Sequence, residues 1–447
     1  MPTNKQRIAI VGSGWAGLAA AVELASQQYA ITVFESSPQL GGRARSIQWN
    51  GMTLDNGQHL MIGAYHEMLS LLHTCGADAD KLFKRLSHRM LMLDTSSANP
   101  TFDLLLPQLP APFHLLMGIL KTPYLSFKEK LQVLIRFNKL LNTPITDDCS
   151  VSEWLACARL PDSYRKNVLE PVCLAALTTH PQQASARAFQ SVLQQTFNAP
   201  AHFTDLLIPT TNLGQTFPAQ AERYILQQGG EIKTRSKIQA LGIKDKQINT
   251  VTIENQQLEF DQVILATPPG VTAKLLANIE LTTDICQQIK QLKYEPIATL
   301  YLQFAGAVTL PAPMTGIING LAEWVFERSI SGHENVLAVV ISAQGKHLDM
   351  TQDNIVEQVS KELKTTIPGL PTLLDSKLII EKRATIQCHP GVDKYRPGIN
   401  TPLINLKLCG DYVYIEENNQ PGLPSTLEGA LRSGVKCAQI LIKQLNQ

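Results

Sequence analysis

The sequence predicts an α/β protein: a Rossmann-type dinucleotide-binding domain interleaved along the chain with an α+β domain of antiparallel sheet and helices. Three stretches predict it. A strand, glycine turn, helix and second strand open the chain. An apolar run ending in Ala266-Thr267-Pro268 lies mid-chain, and a short strand ending in Gly410-Asp411 precedes a final helix.

The opening unit is the most specific. Ile8 to Val11 read as a buried parallel strand, followed by Gly12-Ser13-Gly14-Trp15-Ala16-Gly17 and an Ala/Leu-rich helix from Leu18 to Ser26. A second apolar run, Ile31 to Phe34, leads into Glu35 and Ser36. Gly12 permits the tight turn, Gly14 lets the backbone approach a pyrophosphate, and Gly17 lets the helix pack closely on the sheet. The free amides and dipole at the helix start stabilise phosphates. Glu35 lies eighteen residues past Gly17, where a carboxylate accepts hydrogen bonds from both ribose hydroxyls and repels a 2′-phosphate.

Leu40-Gly41-Gly42-Arg43 follow closely, and then Asp55-Asn56-Gly57-Gln58-His59. These elements resemble the glutathione-reductase-like flavoproteins, in particular their amine oxidase and phytoene desaturase branch. The resemblance implies FAD, with Gly42 passing close to it and Arg43 facing the pyrophosphate or flavin edge. It also implies that Gly57, Gln58 and His59 lie beside the isoalloxazine ring.

The distant segments complete that cofactor site. Gly230 to Lys233, Ile238, Ile243, Val251 to Ile253 and Phe260 read as strands of a meander, and Asp261 to Thr267 as a strand returning to the nucleotide sheet. In the resembled group the backbone at Ile238 lies by the adenine, Ala266 and Thr267 pass near the cofactor, and the Gly410-Asp411 acid binds the ribityl or pyrophosphate region. Ser425 with Glu428 forms a capping-box pattern, so a helix begins there; the resemblance implies that the amides of Ser425, Thr426 and Leu427 face the pyrimidine edge of the flavin. Such a helix start stabilises reduced, anionic flavin. Cys409 does not match the attachment site of flavinylated amine oxidases, so non-covalent FAD is implied.

The expected division is FAD-binding at 1–75, 205–270 and 381–447, with a helical substrate part at 76–204 and a substrate sheet at 271–380. Thr299 to Phe304, Trp324 to Glu327 and Val336 to Ile341 alternate as antiparallel strands. The apolar stretch Phe102 to Leu125 has two readings: a buried core helix with proline breaks, or a face resting in one membrane leaflet.

Composition narrows the partners. Hydrophobic residues make up 44% and charged ones 17%, which excludes a disordered chain, and a formal net charge of +1 gives no footprint for nucleic acid. Eight cysteines show no metal spacing, so no metal is expected. The chain enters a strand almost at once and has no spanning apolar run, which predicts a cytoplasmic protein, peripheral on the inner membrane if the leaflet reading of 102–125 holds. There is no second glycine turn for a nicotinamide, and the sequence names no electron donor.

A narrower resemblance runs from end to end. The Trp15-Ala16-Gly17 turn, Asn56-Gly57-Gln58-His59, Cys173-Leu174-Ala175-Ala176-Leu177, Glu381-Lys382-Arg383-Ala384-Thr385 and the 425–434 helix are similar to the bacterial hydroxysqualene dehydroxylase family. The longer link Tyr412 to Pro421 departs from it. The resemblance implies an apolar isoprenoid substrate, hydroxysqualene, and reductive loss of its hydroxyl to give squalene. In that chemistry His59 is the candidate acid or flavin-side donor. Tyr294, Tyr301, Trp324 and Phe326 are expected to line the pocket and stabilise cationic character. The alternatives are a carotenoid or phytoene-type desaturase and a non-catalytic flavin-binding scaffold of a polyprenyl pathway.

Overall fold

Alternation of apolar residues with turn residues yields two main sheets in the computed structural model, which describes residues 5–27, 29–198, 200–416 and 423–447. The first sheet is all parallel, in the order Glu231–Lys233, Ala30–Phe34, Arg7–Val11, Gln262–Leu265 and Leu406–Leu408. Its strands come from three separate chain stretches. Val11 sits between Phe34 and Leu265, so their C-terminal ends align at one edge. Ile8, Ile10, Val33 and Ile264 are fully buried, as a sheet covered on both faces requires. The helices Trp15–Ala25 and Leu427–Leu445 pack against each other over one face.

One expectation is corrected here. Glu231–Lys233 belongs to the parallel sheet, with Ile232 paired to Val33, and not to the meander. The preceding helix Phe217–Gln227 supplies the crossover that a parallel partner needs. The meander itself comprises Ala240–Lys244, Gln247–Ile253 and Gln256–Glu259.

The second sheet has seven strands: Leu373–Ile386, Tyr294–Phe304, Val336–Ser342, Trp324–Glu327, Met314–Ile318, Arg89–Asp94 and Ser97–Leu105. It is antiparallel except where Met314–Ile318 meets Arg89–Asp94 in parallel, because the last two strands arrive from a distant part of the chain. Leu373–Ile386 runs straight through position 380, where a domain boundary was expected. Period-2 alternation gives the sheet two apolar faces. Leu300, Leu302, Val325 and Val339 pack toward the helix Gln352–Thr366. Tyr301, Trp324, Phe326 and Val340 face the helical region instead.

That region contains the helices Phe113–Lys121, Phe127–Asn142, Val151–Ala158, Glu170–Leu177 and Ala186–Phe197. Ser126 with Glu129, and Ser150 with Glu153, form capping boxes that set two of the starts. The stretch 102–125 is not one helix. It begins as a sheet strand and turns into a helix only at Phe113, after Pro107, Pro110 and Pro112. No helix among the described residues is long and apolar enough to cross a membrane.

Candidate functional site

A single cavity of about 760 Å³ is lined at once by Glu35, His59, Asp411 and Phe326. It therefore runs from the end of the parallel sheet to the inner face of the second sheet.

At the sheet end, Gly12 takes φ +106°, and a Cβ there would lie 2.6 Å from the carbonyl oxygen of Ala266. A Cβ on Gly17 would collide with the Gly12 carbonyl, so only glycine lets the helix start this close to the strand. Gly14 caps that helix without any side-chain hydrogen bond and has open space beside it, leaving the first amides free toward the cavity. Glu35 is held by four donors: Ser13 N at 3.0 Å and its Oγ at 2.7 Å, Ser37 N at 2.7 Å and Ser36 Oγ at 3.2 Å. Trp15 lines the cavity, and its buried indole N–H has no partner among the described residues. Free amides, an oriented carboxylate and an open backbone flank fit a dinucleotide.

Of the residues assigned to the cofactor, Gly12, Gly14, Trp15, Ala16, Glu35, Ser36, Gly42, Arg43, Gln58, His59, Ile238, Ala266, Thr267, Gly410, Asp411, Ser425, Thr426 and Leu427 all line this cavity. Ser13, Gly17 and Gly57 are not part of this lining; Ser13 holds Glu35, and Gly17 packs against the Gly12 carbonyl.

Arg43 Nη2 meets Asp411 Oδ1 at 2.6 Å, and its Nη1 donates to Ala384 O at 2.7 Å. The pair ties the glycine loop to the C-terminal segment. The capping box expected at Ser425 is corrected. Thr426 is the N-cap, its Oγ1 accepting from Gly429 N at 3.0 Å, while Ser425 Oγ donates to Asp411 O. Glu428 serves another helix, accepting from Glu67 N at 2.9 Å and Met68 N at 3.2 Å and pairing with Arg432 at 3.1 Å. Burial pushes its carboxyl up, against the pull of Arg432 and the two amides. The link beyond Glu416, up to Pro421, lies outside the described residues.

The Asp55–His59 loop is braced from below. Arg328, 1% exposed, donates to Asp55 Oδ2 at 3.1 Å and to Gln58 Oε1 at 2.6 Å. Asp55 Oδ1 accepts from Leu213 N at 2.7 Å, and Gln58 N donates to Thr299 Oγ1 at 3.3 Å. Sequence reading missed Arg328; the only available signal was a lone arginine between two apolar strands. His59 lines the cavity, and its pKa is lowered, first by desolvation and then by Arg43, with Asp55 opposing.

At the apolar end, Trp324 and Phe326 line the cavity together with Leu104, Val168, Leu169 and Met314. Tyr294 and Tyr301 do not. Tyr301 is fully buried and donates to Asp55 O at 2.9 Å, while Tyr294 packs its ring 5.7 Å from the Arg383 guanidinium carbon. A buried tyrosine needs a partner for its hydroxyl, and here the partner is backbone behind the wall. His88 also lines this end; its Nδ1 is buried with no partner among the described residues, and burial pushes its pKa down to about 4.

Comparison with known proteins agrees with this geometry. The sequence profile described as flavin containing amine oxidoreductase matches residues 15–442. Hydroxysqualene dehydroxylases of Zymomonas mobilis and Rhodopseudomonas palustris are each 26% identical over 97% of this chain, and the match covers 98% and 97% of those proteins. The zeta-carotene desaturase of a Synechocystis species is 25% identical, covering 98% of this chain and 97% of that one. The crystal structure of an oxidoreductase from Methanosarcina mazei shares the fold, with a TM-score of 0.75 at 15% identity over 97% of this chain and 100% of that one.

Proposed function

The chain belongs to the flavin containing amine oxidoreductase family, a flavin-dependent oxidoreductase, and from that premise we propose that it binds FAD non-covalently and reductively dehydroxylates hydroxysqualene to squalene. One observation carries the reading: the dinucleotide cradle and an arm walled by Trp324, Phe326, Leu104 and Met314 form one continuous cavity. An extended hydrocarbon fits such an arm, and the near full-length match to hydroxysqualene dehydroxylases supports that substrate.

When bound, reduced FAD supplies the hydride. The chain's residues do the rest. The free amides after Gly14 and the Glu35 carboxylate hold the nucleotide end, while Arg43, fixed by Asp411, faces its pyrophosphate. The apolar arm keeps water from the allylic cation left when the hydroxyl departs as water, and the faces of Trp324 and Phe326 stabilise that cation. His59 supplies the proton with which the hydroxyl departs as water; desolvation lowers its pKa, so the protonated ring gives up its proton readily. A hydrocarbon substrate also brings the protein to a membrane leaflet.

A second reading has one observation in its favour, the match to a zeta-carotene desaturase. In that reading the same arm would hold a polyene precursor and the flavin would accept hydride. The deciding experiment mixes anaerobically reduced holoprotein with detergent-dispersed hydroxysqualene and follows flavin reoxidation and the organic product. Reoxidation with squalene formed supports the proposal. No reoxidation, or desaturated product from phytoene with oxidised protein, overturns it.

A further inference from the structure

A contiguous patch of apolar side chains left in water marks an interaction surface. On the helix Phe127–Asn142, Phe127, Leu131 and Ile135 repeat every four residues and are 80%, 52% and 63% exposed. The opposite side of that helix is well buried, through Val133, Phe137, Leu140 and Leu141. The neighbouring helix Phe113–Lys121 exposes Phe113 and Leu120, and Lys130 Nζ bonds the Leu120 carbonyl at 2.7 Å, which sets the two exposed edges side by side.

Charge singles out an occupant. Between residues 105 and 142 the chain carries Lys121, Lys128, Lys130, Arg136 and Lys139 against the single carboxylate Glu129, although the whole chain has a net charge of only +1. Glu129 is committed to its capping box with Ser126. Lys121, Lys128 and Lys139 are exposed. An apolar stripe flanked by free lysines matches the interface of an anionic phospholipid leaflet: acyl chains for the stripe, headgroup phosphates for the ammonium groups.

The patch also reaches the cavity. Leu104 lines the apolar arm, and its neighbour Leu105 on the same strand points to the outside and is exposed, as strand alternation demands. Gly118 of the first helix packs onto this strand, where a Cβ would press into Leu104, Leu105 and Leu106.

We propose that the exposed edges of Phe113–Lys121 and Phe127–Asn142 seat the protein on an anionic phospholipid leaflet, beside the end of the cavity at Leu104. The route for substrate rests on the function proposed above; the docking itself does not. Flavin-loaded protein is floated with substrate-free vesicles of phosphatidylglycerol and phosphatidylcholine, and with phosphatidylcholine alone. Binding should be roughly tenfold or more tighter to the anionic vesicles and should weaken with salt. The triple variant Phe127→Ser, Leu131→Ser, Ile135→Ser, with flavin content as the check on folding, should lose most of that binding. With detergent-dispersed substrate its turnover should equal the parent's. Equal flotation of parent and variant, or none by the parent, overturns the proposal. So does a parent dimer that the triple variant abolishes, which assigns the face to a second copy of the chain. Flotation without turnover would instead sink only the substrate reading.

Discussion

Arg328 and Asp55 form an ion pair at 3.1 Å with side chains 1% and 2% exposed, directly beneath the loop that carries Gln58 and His59. The two residues are 273 positions apart in sequence. The second sheet thus sets the position of a loop whose Gln58 and His59 line the cavity.

Arg328→Met should therefore be costly. It leaves the buried Asp55 carboxyl with only the Leu213 amide among the described residues to satisfy it, a loss of ~3–5 kcal/mol. Adding Asp55→Asn should recover a large part, because the neutral amide keeps an acceptor for Leu213. Chemical denaturation of the two variants checks the sign. An added Asp55→Asn that only deepens the loss would show that the pair is not the brace.

Gly17→Ala tests the dinucleotide cradle. Its methyl would collide with the Gly12 carbonyl, so the helix must shift, at about 1–3 kcal/mol, and the free amides move with it. The ratio of flavin to protein after purification should fall well below that of the parent. A fully loaded variant would mean that the helix start does not hold the cofactor.

The corrected helix cap makes an ordered prediction. Thr426→Ala should lower stability by ~1 kcal/mol, since it removes the hydroxyl that accepts from Gly429 N. Ser425→Ala should cost less, because Ser425 donates only to the Asp411 carbonyl at 3.2 Å. Urea unfolding that reversed this order would restore Ser425 as the cap.

His88 gives a pH dependence of definite sign. Its ring stays neutral in the folded protein until about pH 4, against an ordinary value of 6.5, so its stabilising effect is complete above 6.5 and is lost as pH falls through 4. The loss is at most ~3 kcal/mol. Melting temperatures of the parent should drop between pH 7.5 and 4.5 by more than those of His88→Gln. Equal drops would show that His88 is not the group that charges.

Much of the cavity lining at the end of the parallel sheet was legible in the sequence. Gly12, Gly14, Glu35, Arg43 and Asp411 sit in local motifs whose residue types answer to short-range demands: a backbone angle, a free amide, a carboxylate at a strand end. Those demands are met within a few residues, so they leave a mark in a few letters. Trp324 and Phe326 were legible for the same reason, as alternate positions on a strand.

Other assignments needed the tertiary structure. Strand alternation puts Tyr301 on the same face as Trp324 and Phe326 but does not say which of them reaches the cavity, and the hydroxyl of Tyr301 turned out to answer the Asp55 carbonyl. Glu428 has the spacing of a cap for its own helix, yet its carboxylate serves amides 360 and 361 residues away. Arg328 has no motif at all; only the approach of the Asp55 loop to the end of the strand Trp324–Glu327 gives its buried charge a partner. By itself the sequence determined the βαβ unit, the glycine turn and the strand ends, because each is a contest settled within one or two turns of chain. Which of the polar side chains became struts behind the cavity, and which faced into it, was decided by long-range packing, since a buried charge or hydroxyl takes whichever partner the assembled fold brings within about 3 Å.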